Sequence, residues 1–261
     1  MQCKNCDVAI LDGQNYCSAC GAKVIRHRLT TKSLMTDFFE RYFNLDNTFF
    51  RTIWHTIIKP EAVCNGYIQG LRKRYLNPVS MIAISLTTSG LIMFLIKKVV
   101  WGKIDFAKIS YAQTSSGGVG TEKIMSATME YSSFVYFLYI PIIAFASYVL
   151  FNKRNYNYPE HIIITIYALT TFSIASSLYS ATALLISPQF YFDAALAYVL
   201  VMVLFCLYVA YKNSEYNRAS LLWRTPLFLL IFLFGYFGAS LLTVAILFLT
   251  GEISISDFIP Q

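Results

Sequence analysis

Residues 162–186 read IIITIYALTTFSIASSLYSATALLI and contain no charged side chain. A helix needs about 20 predominantly apolar residues to cross a bilayer, so this segment predicts a membrane-spanning helix. Small residues recur in it every four positions, on two shared helical faces: Ser173, Ser177 and Ala181, and likewise Ser176 and Ser180. Such faces let helices approach closely, within one chain or between copies. We interpret them as packing surfaces.

Four further apolar segments flank this one, at residues 79–96, 131–151, 190–211 and 226–249. The chain is 56% hydrophobic and only 13% charged. An ordinary soluble domain has about a quarter charged residues. The sequence therefore predicts an all-α polytopic membrane protein with about five transmembrane helices, in a domain covering residues 79–261. The segment 79–96 is short and rich in Ser and Thr, so four spans are the alternative.

The distribution of Lys and Arg predicts the orientation in the membrane. With five spans and a cytosolic N-terminus, 16 of the 21 basic residues lie inside and five outside. This bias favours a cytosolic N-terminus and an external C-terminus. The five outer lysines all follow the first span, so residues 97–130 are interpreted as crossing, re-entering or lying along the membrane. Topology also explains the net charge of +7 better than nucleic-acid binding does.

A polar head precedes these spans, and residues 3–21 of it read CKNCDVAILDGQNYCSACG. Two residues between paired cysteines let both thiolates point at one ion, and two such pairs complete a tetrahedral site for which zinc is the natural occupant. The predicted metal ligands are Cys3, Cys6, Cys17 and Cys20. The sequence thus predicts a structural zinc ribbon over residues 1–24, with disulfides or an iron centre as alternatives. Four thiolates leave no open position for water, which disfavours catalytic zinc.

Residues 25–78 predict an amphipathic, interfacial helical linker. Two apolar helical faces occur in it, Leu34–Phe43 and, after a cap at Asp46, Phe49–Ile58, and Pro60 ends the second. Such helices suit either the membrane interface or packing on the cytosolic ends of the spans, and the sequence leaves both open.

The linker ends in the stretch GYIQGLRKRYLNP, residues 66–78. Its basic and aromatic residues are candidates for contact with anionic headgroups or an acidic partner: Arg72, Lys73, Arg74, Tyr67 and Tyr75. Its two glycines, Gly66 and Gly70, tell against a plain helix.

These motifs resemble an uncharacterised bacterial family, a domain of unknown function found in multi-span membrane proteins with an N-terminal four-cysteine zinc ribbon. The resemblance covers about residues 1–98, through the four cysteines and an ordered set in the linker: Asp46, Pro60, Tyr67, Gly70, Arg72, Tyr75 and Pro78. It implies the same architecture and location in the bacterial inner membrane, and it implies no activity. The span count also looks similar to that of the Yip-type, Rab-interacting five-span proteins.

Other candidate chemistry is sparse. Glu160 and His161 flank the third span, no span carries a central charge, and Cys64 and Cys206 are interpreted as packing residues. We therefore expect a non-enzymatic scaffold, docking or membrane-organising protein, with a protein partner on the ribbon and nucleic acid disfavoured. The alternative is an oligomeric channel or passive transporter lined by the Ser/Thr face of the third span. A lipid-modifying enzyme is disfavoured because the sequence shows no catalytic constellation.

Overall fold

The computed structural model describes residues 2–3, 5–11, 13–21, 24, 48–99, 132–186 and 195–251. The chain divides into two compact units, Met1–Asp46 and Asn47–Gln261, here named the ribbon unit and the body. Three predictions lie outside the described residues: the apolar face at residues 34–43, the cap at Asp46, and the path of residues 100–130.

The described part of the body is helical. In chain order the helices are α1 (Thr48–Ile58), α2 (Pro60–Ile68), α3 (Pro78–Val99), α4 (Ser132–Leu150), α5 (Tyr158–Ile186), α6 (Ala195–Ser214) and α7 (Leu221–Leu249), with a 3-10 turn at Arg218–Ser220. Among the described residues there are seven α-helices and no β-strand, which confirms the all-α class.

Four of these helices are long and apolar enough to cross a membrane, namely α3, α5, α6 and α7. They indicate a membrane protein. Residues 79–96, the segment with the least support in the sequence as a span, lie in α3, which is one of these four helices. In α4 the apolar stretch Phe137–Leu150 is shorter, so a fifth span stays a prediction.

Helix α5 is the central helix of the body and contacts α1, α2, α3, α4 and α6. The serines of its small-residue faces are buried: Ser173, Ser176, Ser177 and Ser180. The hydroxyl of Tyr198 on α6 donates to Oγ of Ser176 over 2.5 Å. The interpretation of these faces as packing surfaces is therefore confirmed.

Helix α5 begins at Tyr158, four residues before the predicted segment at 162. The backbone N–H of Asn157 donates to Oε2 of Glu160 over 2.7 Å, which is one half of a capping box and fixes the early start. The prediction that His161 lies outside the span is wrong. His161 is buried in the first turn of α5, and its Nδ1 lies 2.9 Å from Oγ of Ser147 on α4.

Helices α4 and α7 approach each other closely at Gly235. A Cβ atom at this position would overlap Cγ2 of Ile142 on α4 and lie 3.0 Å from its Cγ1. Nearby, the rings of Phe151 and Phe228 meet edge to face, with centroids 6.0 Å apart. Gly235 therefore permits a close contact between α4 and α7.

An ion pair and a hydrogen bond connect the loop between α4 and α5 with the loop between α6 and α7. Nη2 of Arg154 lies 2.5 Å from Oε1 of Glu215, and Nζ of Lys153 donates to the Glu215 carbonyl over 3.2 Å. The guanidinium of Arg224 lies 3.5 Å from the ring centre of Tyr216. Because the ion pair is partly exposed, it contributes less than about 1 kcal/mol. Arg224 in the first turn of α7 adds a cation–π contact with Tyr216 of the loop between α6 and α7.

The crossing at Gly235 generates a matched pair of variants. We expect Gly235→Ala to destabilise the body by about 1–3 kcal/mol, because the added methyl group must push α7 away from Ile142. Gly238→Ala is the control, since it lies in the same helix with nothing within 4 Å of its Cβ position. The measurement is thermal unfolding of the purified protein in detergent. Equal shifts for both variants would contradict the close-approach argument.

Candidate functional site

Two turns of the same shape hold the four cysteines of the ribbon unit. In the first, the backbone N–H of Asp7 donates to the Cys3 carbonyl over 2.9 Å, and in the second the N–H of Gly21 donates to the Cys17 carbonyl over 2.9 Å. The closing residue has a left-handed conformation each time, with φ of 57° at Asp7 and 72° at Gly21. Glycine adopts this conformation freely, and Asp is one of the few other residues that tolerates it.

The two turns bring all four predicted ligands together. The Sγ atoms of Cys3 and Cys20 are 3.6 Å apart, as are those of Cys6 and Cys17, and the four sulfurs lie within 4.8 Å of one another. Tetrahedral coordination at a metal–sulfur distance of about 2.3 Å requires sulfur–sulfur separations of about 3.8 Å. A disulfide requires about 2.05 Å, so the arrangement fits a four-thiolate metal centre.

The electrostatics of the cluster differ between its sulfurs. Backbone N–H groups of Cys20 and Ala19 point at Sγ of Cys17 and lower the pKa of that thiol. The N–H of Val8 acts in the same direction on Cys6, but the neighbouring sulfurs and burial outweigh it and raise the pKa of Cys6 to about 12. A bound cation removes this penalty because it holds all four sulfurs as thiolates.

The ribbon unit has little other internal support. In its described part, Ile10 is the one buried residue besides Cys3 and Cys17, with Val24 packed beside them. An isolated antiparallel bridge joins Gln2 to Ala9. A core this small supplies little folding free energy, so a metal ion would provide most of it.

The segment GYIQGLRKRYLNP forms the end of α2 and a turn. Gly66 lies inside α2, and Gly70 follows it with φ of 99°. The N–H of Leu71 donates to the Gly66 carbonyl over 2.8 Å and that of Gly70 to the Tyr67 carbonyl over 3.1 Å. This is a Schellman motif, which explains one glycine as the left-handed cap that ends the helix. The expectation that both glycines oppose helix is wrong for Gly66.

The candidate contact residues of this segment separate into two groups. Arg72, Lys73 and Arg74 are exposed, whereas Tyr75 is buried inside the body. The hydroxyl of Tyr75 lies 2.9 Å from Nδ1 of His55 on α1. The half-buried Tyr67 meets Tyr167 edge to face, with centroids 6.0 Å apart. Both tyrosines therefore hold the fold together, and the contact of the basic residues with headgroups or a partner stays a prediction.

Two structural residues were not singled out in the sequence, Thr52 on α1 and Tyr167 on α5. Oγ1 of Thr52 accepts from the Leu76 N–H over 2.9 Å, and the Tyr167 hydroxyl donates to the Leu76 carbonyl over 2.7 Å. The N–H and the carbonyl of Leu76, two residues before α3, are thus hydrogen-bonded to α1 and α5 respectively. Thr52 and Tyr167 are far from Leu76 in sequence, so no local pattern indicates these bonds.

The two remaining cysteines lie in the body. Cys64 on α2 and Cys206 on α6 are both buried. Burial raises the pKa of Cys64 to about 12, so this side chain is a thiol at neutral pH. Their interpretation as packing residues is confirmed.

Comparison with known proteins gives one match. Residues 46–90 match a family described as a protein of unknown function (DUF3667). The matched stretch contains α1, α2, the Schellman turn and the first part of α3. No curated protein and no solved structure matches this chain. The match fits the expected resemblance to an uncharacterised family over part of the linker and first span.

The cysteine cluster generates a metal-content prediction. We expect the purified full chain to hold one metal ion, and Cys17→Ser to lose it, because three thiolates and a hydroxyl bind soft or borderline cations far more weakly. Cys206→Ser is the control, since its side chain is buried in α6. The measurement is elemental analysis by mass spectrometry after gel filtration. Full metal content in Cys17→Ser would contradict the four-sulfur site.

Proposed function

We propose that this chain is a membrane-anchored docking protein whose ribbon unit is braced by structural zinc. The observation that carries the proposal is the closed set of four sulfurs, all within 4.8 Å of one another. Zinc is the preferred occupant because it favours four thiolates in tetrahedral geometry. Four protein ligands leave no position for a substrate or an activated water, so the metal serves shape and not catalysis.

The outer surface of the ribbon unit supports a protein as its partner. Leu11 is 72% exposed and Tyr16 is 60% exposed, in a unit with very little apolar core. Residues 1–24 contain two Lys and two Asp and therefore have no net charge to attract phosphates. Exposed apolar and aromatic side chains are typical anchors at protein interfaces. Nucleic acid is accordingly not proposed as a ligand.

The body serves as the anchor in this proposal. We propose five spans, with α4 as the one beyond the four long apolar helices, and location in the inner membrane of a bacterium. The 16-to-5 excess of basic residues on one side supports a cytosolic N-terminus and an external C-terminus. The bacterial source and the likeness to Yip-type proteins stay predictions.

A channel lined by the third span receives less support from the packing. The serines of α5 that such a path requires are buried among helices of the same chain, and Ser176 is bonded to Tyr198. Copies of the chain can still associate through the exposed faces of α3 and α7, so a homo-oligomer is compatible with docking.

The number of spans has a simple test. We expect a reporter fused to the N-terminus to be cytosolic and one fused after Gly251 to be external, because five crossings place the two ends on opposite sides. The measurement is the activity of paired reporters that work on one side of the membrane each. Both ends on the same side would indicate four crossings and remove α4 from the proposed spans.

The docking role is tested with a photo-crosslinking amino acid in place of Tyr16 in the full chain in native membranes. We expect a discrete protein adduct that disappears in the Leu11→Ser and the Cys17→Ser variants, because the first removes a contact and the second removes the metal. The same amino acid at Val149, an exposed apolar position on α4, is the control. An adduct that persists in metal-free Cys17→Ser would exclude docking through a folded ribbon.

A further inference from the structure

Helix α1 packs Phe49 and Ile53 against the core of the body and presents its other large apolar side chains away from it. Two threonines face inward and are fully buried, Thr52 and Thr56. On the opposite side lie Phe50, Trp54, Ile57 and Ile58, here named the outer face of α1. Phe50 is 68% exposed and Trp54 is 63% exposed. The spacing i, i+4, i+7 and i+8 makes this a continuous stripe along one face of the helix.

The C-terminal end of α1 contacts one of the apolar helices that are long enough to cross a membrane. The hydroxyl of Tyr208 on α6 donates to the Ile57 carbonyl over 3.1 Å. Tyr208 lies inside the apolar span Ala197–Ser214, about 9 Å along the helix axis from its end at a rise of 1.5 Å per residue. At its other side α1 is bonded through Thr52 to Leu76, two residues before α3 begins. Hydrogen bonds thus join α1 to α6 and to the residue two positions before α3.

Three cations precede a residue that contacts α1. Arg72, Lys73 and Arg74, here named the basic turn, immediately precede Tyr75, which is bonded to His55 of α1. All three are exposed, and within the described part of the chain no carboxylate forms an ion pair with them. Residues 69–77 contain no acidic residue. The surface therefore joins an apolar aromatic stripe to an uncompensated positive charge.

We propose that the outer face of α1 and the basic turn together bind the anionic headgroup layer of the bilayer, with Phe50 and Trp54 inserted below the headgroups. A tryptophan beside apolar side chains, backed by Lys and Arg, is the composition of helices that lie in the membrane interface. The fixed position of α1 against two spans places the stripe where lipid, and not water, meets the body. This surface contains no residue of the ribbon unit. The lipid-binding proposal can therefore be tested independently of the docking role.

The insertion is tested by tryptophan fluorescence. The variant Trp101→Phe/Trp223→Phe leaves Trp54 as the single tryptophan of the chain. In vesicles of phosphatidylcholine and phosphatidylglycerol, we expect lipids brominated on the acyl chains to quench most of the Trp54 emission and aqueous acrylamide to quench little of it. An unchanged metal content and melting temperature would show that the variant is folded.

The headgroup contact is tested with a charge-matched pair of variants. Arg72→Gln/Lys73→Gln removes two charges from the basic turn and leaves Arg74 on the ring of Tyr75. Lys212→Gln/Arg218→Gln removes two other exposed cations of the body and is the control. The measurement is the ratio of phosphatidylglycerol to phosphatidylcholine retained by the purified protein. One basic side chain near an anionic surface changes binding about fivefold, so we expect a loss of up to about 25-fold in the first variant and little in the second.

Each other outcome overturns the proposal. Strong acrylamide quenching of Trp54 in vesicles would place the outer face in water. Protection of Trp54 from both quenchers would mean that protein covers it, either another copy or a different partner. Equal lipid ratios in the two charge variants would show that the basic turn has no particular part in binding anionic headgroups.

Discussion

The hydrocarbon interior of a bilayer offers no hydrogen-bond partner, and this constraint governs most of the body. Every backbone group at that depth must be satisfied within the protein, which permits helices and excludes open strands. Several hydroxyl groups of the spans are satisfied in the same way. Thr170 and Thr243 donate to carbonyls one turn earlier in their own helices, at Ile166 and Ala239. The many Ser and Thr residues of the spans are therefore compatible with a membrane location without lining any aqueous path.

The clustering of the four cysteines and the four long apolar helices could be predicted from sequence because both depend on local information. Cysteine spacing sets ligand geometry within each turn, and hydropathy measures the same transfer free energy that places a helix in lipid. The orientation of α1 could not be predicted. Its apolar residues suit either the membrane interface or packing on the body, and the bond that holds Thr52 inward is to Leu76, 24 residues away. The early start of α5 depends on Glu160, whose side chain accepts from the Asn157 N–H. This capping role was recognised only from that bond in the structure.

The two units use different sources of stability. The body buries large side chains around α5, including Tyr167 and Phe228. Among its described residues the ribbon unit has a very small apolar core, and a bound cation would hold its four sulfurs together as thiolates. We therefore expect the folding of the ribbon unit to depend on metal supply and that of the body to be independent of it. Under the proposed function, docking would then require a bound metal ion.

The bonds at Leu76 have a mechanical consequence. Both polar groups of this residue are occupied, the N–H by α1 and the carbonyl by α5, immediately before α3 begins. A tilt of α1, α3 or α5 against the other two would stretch at least one of the hydrogen bonds to Leu76. These two bonds therefore oppose relative motion of the three helices. At the crossing of α7 with α4, Gly235 meets the apolar Ile142. Because apolar contacts slide at lower cost than hydrogen bonds break, the crossing of α4 and α7 resists relative motion less than the bonded helices do.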